Sequence, residues 1–388
     1  MSTKYKAYTG KVIKVDLTNK TVTDYEFSDD DRMLYLGGKC MAAKIIYDNL
    51  KGKIDPLSEE NLIVITTGPL NAVGAPCSSR FNTSTISPLT GLYTSSNCGG
   101  DFGLSLKRAG YDGLIITGKA EEKTYLVITN NGVEFKDATP YWGMKTQEVQ
   151  QAIPDKGSKF VIGPAGENLV KYACVISGER AAGRGGVGAV FGSKNLKALV
   201  AFGLKSPEVF NSKKFAKNNA LWTKRLKTHP TTGTTLPELG TASLVTPMHT
   251  KNLLATKNYS KGKYEHFDDV SGETLKDKYL VKNSGCTSCP IRCARMVNVD
   301  GKVVKGPEVE TIGLFGPNIL NNDMQKILDF NYFMDDYGMD TISCGNTISF
   351  AMEANEKKLW DNGLEFGNVK NLEKIIENIA IEKELVMN

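Results

Sequence analysis

The sequence predicts an α+β protein, with a β-rich first half and a mainly helical second half. Three observations carry this. Short apolar or alternating runs bounded by Gly, Asn and Asp recur through the first two hundred residues. Glycine is dense in the same stretch, at Gly91, Gly99, Gly100, Gly183, Gly185, Gly186 and Gly188. After about Ser206 the apolar spacing becomes helical.

Along the chain, Gly10 to Leu17 alternates apolar and polar residues, and a second short strand is expected at Thr21 to Tyr25. Leu62 to Thr66, Leu114 to Thr117, Phe160 to Ile162 and Ala198 to Phe202 read as buried strands. Thr124 to Thr129 and Val133 to Phe135 flank Asn131-Gly132, a hairpin signal. Phe215 to Thr228, Asn322 to Tyr337, Asp340 to Ala354 and Leu372 to Met387 have helical spacing, and a hairpin is expected around Asp300-Gly301. The boundary falls near 206, giving a β-rich domain 1–206 and a mainly helical domain 207–388. The last helix runs into the terminus without a cap, which suggests that the chain is cut inside an element or continued by another polypeptide.

Net charge is +5, with no basic run or arm, so nucleic acid is not implied. Met1 to Leu17 has no continuous apolar core, so a signal peptide is not expected, and no run approaches the ~18 apolar residues of a membrane helix. A cytoplasmic protein is expected. Its eight cysteines are then not a disulfide framework.

Cys286, Cys289 and Cys293 are spaced three and four residues apart. Such thiolates can wrap one corner of an iron–sulfur cluster, with a fourth ligand from elsewhere. Zinc is the competing metal, although His229, His249 and His266 do not sit at zinc-finger spacing. Structural thiols are the third reading. The other five cysteines are expected to be small buried residues.

Gly183-Arg-Gly-Gly-Val-Gly188 formally matches a dinucleotide fingerprint, but Gly178 to Ala182 does not read as a strand and Ala189 to Lys194 is a poor crossover helix. The loop, flanked by Arg180 and Arg184, suits an anion or a tight turn. Gly113 to Ala120 has Walker A spacing but a strand-like interior and no magnesium-binding hydroxyl. Asp335 and Asp340 flank Gly338, where a carboxylate pair could read a donor-rich heterocycle or simply end one helix and cap the next. Glu308 and Glu310 close a proline-containing loop, where one carboxylate could serve as acid–base.

Five blocks, Gly68 to Gly91, Ser95 to Ala120, Arg180 to Leu199, Lys282 to Cys293 and Asp335 to Ser343, resemble in order and separation the tungsten-containing aldehyde:ferredoxin oxidoreductase family. The resemblance implies a pterin-binding β domain of two sheets, followed by a helical cluster-binding domain. It also implies a tungsten or molybdenum bis-pyranopterin, a magnesium ion bridging the pterin phosphates, and a 4Fe–4S cluster. Carried over, Arg80 matches the arginine between a pterin and the cluster. Asn97 and the Ala181 carbonyl match the magnesium contacts, while Gly99 and Arg180 match phosphate-side contacts. Asp335, Gly338 and Asp340 match the first pterin motif. Cys286, Cys289 and Cys293 match three cluster ligands, and Glu310 matches an acidic residue near the metal. The implied reaction oxidises an aldehyde with water to a carboxylic acid and sends two electrons through the cluster to ferredoxin or another electron-transfer subunit.

Family members continue well beyond this length. The absent portion would carry the second pterin motif, the fourth cysteine and an active-site histidine. Three alternatives therefore stay open: a related tungsten subunit reducing aromatic acyl-CoA rings, a non-catalytic or incomplete subunit needing a second polypeptide, and a plain zinc protein. A homodimer is a family expectation.

Overall fold

The strands expected in the first half form in the computed structural model, which describes residues 3–381. In sequence order they are β1 (Val12–Asp16), β2 (Thr21–Tyr25), β3 (Ile63–Thr66), β4 (Phe81–Ile86), β5 (Tyr93–Cys98) and β6 (Gly113–Thr117). These build one six-stranded sheet of order β2-β1-β6-β3-β4-β5, in which β1 and β6 run parallel and every other pairing is antiparallel. A second six-stranded sheet contains β7 (Thr124–Thr129), β8 (Gly132–Asp137), β9 (Ser158–Val161), β10 (Val175–Ser177), β11 (Arg180–Ala182) and β12 (Leu196–Ala201), in the order β11-β10-β9-β12-β7-β8.

Pleat alternation explains why these strands read as continuous apolar runs. Ile13, Val15, Ile63, Ile65, Leu114 and Ile116 of the first sheet join Leu126, Ile128, Phe160, Leu199 and Ala201 of the second in one core. The alternate residues Val12, Val64 and Ile115 pack with Met41, Ala42, Ile45 and Ile46 of the helix Gly38–Asn49. Tyr125, Val127, Val161, Ala198 and Val200 pack on the far side of the second sheet with Val149 and Ile153. Phe81, Phe102, Phe160 and Phe191 interlock at centroid distances of 5.1–5.7 Å at the centre.

β4 and β5 escape apolar-pattern reading because most of their buried residues are polar. Asn82, Thr83, Ser84, Thr85 and Ser96 are all buried. Asn82 and Ser84 are satisfied within the pair: the Asn82 amide donates to Ser95 Oγ at 2.7 Å, and the Ser84 hydroxyl donates to Asn82 Oδ1 at 2.7 Å, whereas Thr83 Oγ1 is buried without a partner.

Contacts divide the chain into two units: Met1–Leu221 with Cys286–Cys289 and Asp336–Met339, and Trp222–Gly285 with Pro290–Asp335 and Asp340–Asn388. The second unit holds a three-stranded antiparallel sheet of β13 (Leu280–Ser284), β14 (Ala294–Val299) and β15 (Lys302–Lys305). The β14–β15 turn is the expected Asp300-Gly301 hairpin. The helices Ser212–Thr228, Met324–Tyr337 and Thr341–Glu356 lie close to their expected spans. The terminal helix covers Leu372–Ala380, and the rest of that expected helix, 382–387, lies outside the described residues. Among the described residues no helix is long and apolar enough to cross a membrane.

Candidate functional site

Arg80 immediately precedes β4, and Asn97 is the penultimate residue of β5. The Arg80 guanidinium donates to the Asn97 side-chain oxygen at 3.1 Å, and both side chains are exposed. The loop leading into Arg80 is held by Asn71, whose amide donates to the carbonyls of Ser78 and Arg80 at 2.7 and 3.0 Å.

Gly99 follows β5 and is buried. A Cβ placed there would lie 2.8 Å from Cys286 Sγ and 3.5 Å from Arg180 Cγ, so the absence of a side chain lets the cysteine turn and the arginine stem approach the strand end. Arg180 opens β11, the edge strand of the second sheet, opposite Ser177 of β10, and Ala181 pairs with Ile176. The glycine loop after β11 is tied to the first sheet, because the Arg184 amide donates to Ser96 Oγ at 3.1 Å. The edge strand of each sheet thus contributes to one locality.

Two sequence readings at this loop are corrected. Arg180 to Ala182 is a strand, formed because its hairpin with β10 supplies the pairing that local propensity does not. Val187–Ser193 is a helix, wholly buried. The dinucleotide reading still fails on topology: β11 is separated from β12 by β10 and β9 through antiparallel pairings, so no parallel βαβ unit surrounds the glycines.

The cysteine motif lies in the connection between β13 and β14. Cys286 to Cys289 is a turn closed by the Cys289 amide donating to the Cys286 carbonyl at 3.0 Å. Thr287 Oγ1 donates to the Asp101 carboxylate beside Gly99. Cys77, which the sequence reading passed over as a buried structural thiol, is exposed, and its Sγ lies 3.5 Å from Cys289 Sγ. Its only sequence signal is its position three residues before Arg80. Cys40 is likewise exposed, while Cys98, Cys174 and Cys344 are buried as expected.

Cys293 belongs to the second unit. Its carbonyl approaches within 2.6 Å of where a Gly240 side chain would begin. Beside it, Arg295 donates to the carbonyls of Pro237, Glu238 and Arg292, each at 2.7 Å. Burial pulls the Arg295 pKa down, with Cys293 opposing that shift. Among the described residues no three His, Cys, Asp or Glu side chains gather into a metal-ready group.

Glu310 sits exposed in the first turn of the helix Val309–Phe315. Its neighbour Glu308 accepts from Thr241 Oγ1 at 2.6 Å, and the same hydroxyl accepts from the Val309 amide at 3.0 Å.

Asp335 is half-buried near the end of the helix Met324–Tyr337, which Gly338 stops with φ +76°. The Gly338 carbonyl accepts from the Cys174 amide at 2.8 Å. Asp340 caps the following helix, accepting from the amides of Ile342 and Ser343 at 3.0 and 3.2 Å and from Ser343 Oγ at 2.6 Å. A buried carboxylate beside this motif that the sequence does not single out is Asp336, which accepts from the Gln147 amide at 3.1 Å.

The donor chemistry fits the groups implied by the resemblance. An arginine, an exposed amide oxygen and a side-chain-free wall suit a phosphate–magnesium pair, and thiols beside that wall suit an iron–sulfur cluster.

Two family models match the chain. "Aldehyde ferredoxin oxidoreductase, N-terminal domain" covers residues 12–203, and "Aldehyde ferredoxin oxidoreductase, domains 2 & 3" covers 217–387. The chain is 41% identical over 390 residues to a tungsten-containing aldehyde ferredoxin oxidoreductase of Pyrococcus abyssi, covering 96% of this chain and 64% of that protein. It is 32% identical to an aliphatic sulfonate oxidoreductase, WOR-like subunit, of Pyrococcus furiosus, covering 97% of this chain and 65% of that protein. Among solved structures, the active site complex BamBC of benzoyl coenzyme A reductase with 1,5-dienoyl-CoA matches 98% of this chain and 62% of its own. That match has a TM-score of 0.85 at 29% identity. The chain thus spans about two thirds of the length of these relatives.

Proposed function

The chain belongs to the aldehyde ferredoxin oxidoreductase family, and from that premise we propose that it is the N-terminal and central portion of a cytoplasmic tungstopterin oxidoreductase. The reaction is oxidation of an aldehyde with water to a carboxylic acid, with two electrons leaving through a 4Fe–4S cluster to ferredoxin. The observation that carries this reading is the convergence of Arg180 and Cys286 on Gly99, next to the Arg80–Asn97 pair.

In this reading the metal-dithiolene centre supplies two-electron chemistry and the cluster supplies the electron exit. The chain's own residues bind and orient. Arg180 and the amides around Gly99 hold pterin phosphate, and the Asn97 side-chain oxygen with the Ala181 carbonyl holds magnesium. Arg80 would supply a fixed positive charge to the bound pterin and cluster. Cys286, Cys289 and Cys293 ligate iron. Asp335 and Asp340, around the Gly338 turn, accept from the pterin ring, and Glu310 accepts or returns a proton at the water or aldehyde.

The test is metal and cofactor analysis of anaerobically purified native protein, together with intact mass and any co-purifying chain. About one tungsten or molybdenum and about four irons per complex are expected. Zinc alone, or no metal in a lone chain, would sink the reading.

A second reading is favoured by the solved structure that matches 98% of this chain: a catalytic subunit reducing an aromatic acyl-CoA ring with electrons from companion subunits. Failure to oxidise any aldehyde, with activity only in the presence of an electron-delivering partner, would select it.

A further inference from the structure

We infer that Cys77 and Cys289 form a reversible disulfide site in the cluster-free chain, closed by a low-molecular-weight disulfide such as oxidised glutathione. Cys77 Sγ stands 3.5 Å from Cys289 Sγ. The two backbones are already held beside each other, because the Cys77 amide donates to the carbonyl of Ser288 at 3.4 Å. Bond formation needs about 1.5 Å of sulfur movement to reach the ~2.05 Å of a disulfide. Cys286, the neighbour that could compete for Cys289, has its sulfur against Gly99.

Exposure sets the order of events. Cys77 is exposed and Cys289 half-buried, so the Cys77 thiolate attacks the small disulfide first. That forms a mixed disulfide and releases one glutathione thiol. The Cys289 thiolate then attacks Cys77 Sγ and releases the second. Two protein thiols lose two electrons and two protons in total, and one oxidised glutathione becomes two reduced ones.

The consequence rests on the reading of Cys289 as a cluster ligand: the closed disulfide removes one thiolate from the cluster site until a reductant reopens it. The disulfide itself does not depend on that reading.

The experiment uses the full chain, reduced, stripped of iron with a chelator and treated with oxidised glutathione. Alkylation and non-reducing trypsin digestion follow. Trypsin releases Cys77 in the peptide 54–80, and Cys286 with Cys289 in the peptide 283–292. The expected product is a cross-link between these peptides, with fragmentation placing it on Cys289. The link disappears in Cys77→Ser and persists in Cys286→Ser. An internal disulfide within 283–292, or two alkylated or glutathionylated thiols with no cross-link, would overturn the proposal.

Iron uptake supplies a second arm. The oxidised wild-type chain should take up at least fivefold less iron than the reduced chain, recovering with a phosphine reductant, whereas Cys77→Ser should be indifferent to oxidised glutathione. A cross-link that forms without affecting iron uptake would leave the disulfide standing and remove Cys289 from the cluster.

Discussion

Arg80 and Asn97 face each other where β4 begins and β5 ends, the guanidinium reaching the amide oxygen at 3.1 Å. Neither side chain is buried, so neither is needed for the core. Arg80→Met should therefore unfold within about 0.5 kcal/mol of the parent. If Arg80 contacts pterin and cluster, pterin and metal content of the anaerobically purified complex should fall at least threefold. Unchanged content and an unchanged cluster spectrum would remove Arg80 from the site.

Gly99→Ala places a methyl 2.8 Å from Cys286 Sγ. Overpacking of this kind costs about 1–3 kcal/mol. Gly313→Ala, in a helix with nothing within 4 Å of the new carbon, is the control. Iron content of the reconstituted chain should drop in the first variant and hold in the second. Equal iron in both would show that the cysteine turn does not need its close approach to β5.

Asp340 offers a way to separate capping from ligand reading. Asn caps a helix about as well as Asp, whereas Ala costs about 1 kcal/mol. Asp340→Asn keeps one of the two acceptor oxygens, so its thermal midpoint should fall by less than that of Asp340→Ala, yet its pterin retention should fall as far as in Asp340→Ala if a carboxylate is required there. Full pterin occupancy in Asp340→Asn would reduce the residue to a cap.

Glu310→Gln keeps shape and removes the titrating proton. Turnover of the complete enzyme should fall about 10²-fold or more, with pterin and iron content unchanged. Retained turnover would end the assignment of proton transfer to Glu310.

Lys194 gives a prediction independent of the cofactors. Its ammonium is buried and donates to the carbonyls of Glu59 and Gly118 at 3.0 and 2.8 Å, and burial lowers its pKa from the usual 10.5 to about 8. The folded value lies below the unfolded one, so between about pH 8 and 10.5 the unfolded chain holds more protons and stability rises with pH. Relative to Lys194→Met, the wild-type chain should gain about 1.5 kcal/mol between pH 8 and 9.5, read from urea midpoints. Parallel pH profiles for the two proteins would contradict this.

The fold class was legible because buried strands such as Leu114 to Thr117 leave continuous apolar runs, and because Asn131-Gly132 and Asp300-Gly301 mark their hairpins. β4 and β5 were not, since Asn82, Ser84 and Ser95 satisfy each other only after the strands pair. β10 and β11 are three residues each, too short for any periodicity. The three-cysteine motif was visible from spacing alone. Cys77 was not, because what brings it to Cys289 is a contact across more than two hundred residues. Asp336 was hidden for a related reason: the sequence cannot tell which of two adjacent aspartates a helix turns inward.

The parallel pairing of β1 with β6 also has a consequence for synthesis. Val12 aligns with Gly113, so β1 has only β2 beside it until about a hundred further residues have been made. At ~5–20 residues per second that is on the order of 5–20 s. Throughout that interval Val12, Ile13 and Val15 present an apolar strand with one open hydrogen-bonding edge on the nascent chain. The first sheet therefore cannot be completed in order from its N-terminus, because the open edge of β1 finds its native partner only once β6 has been made.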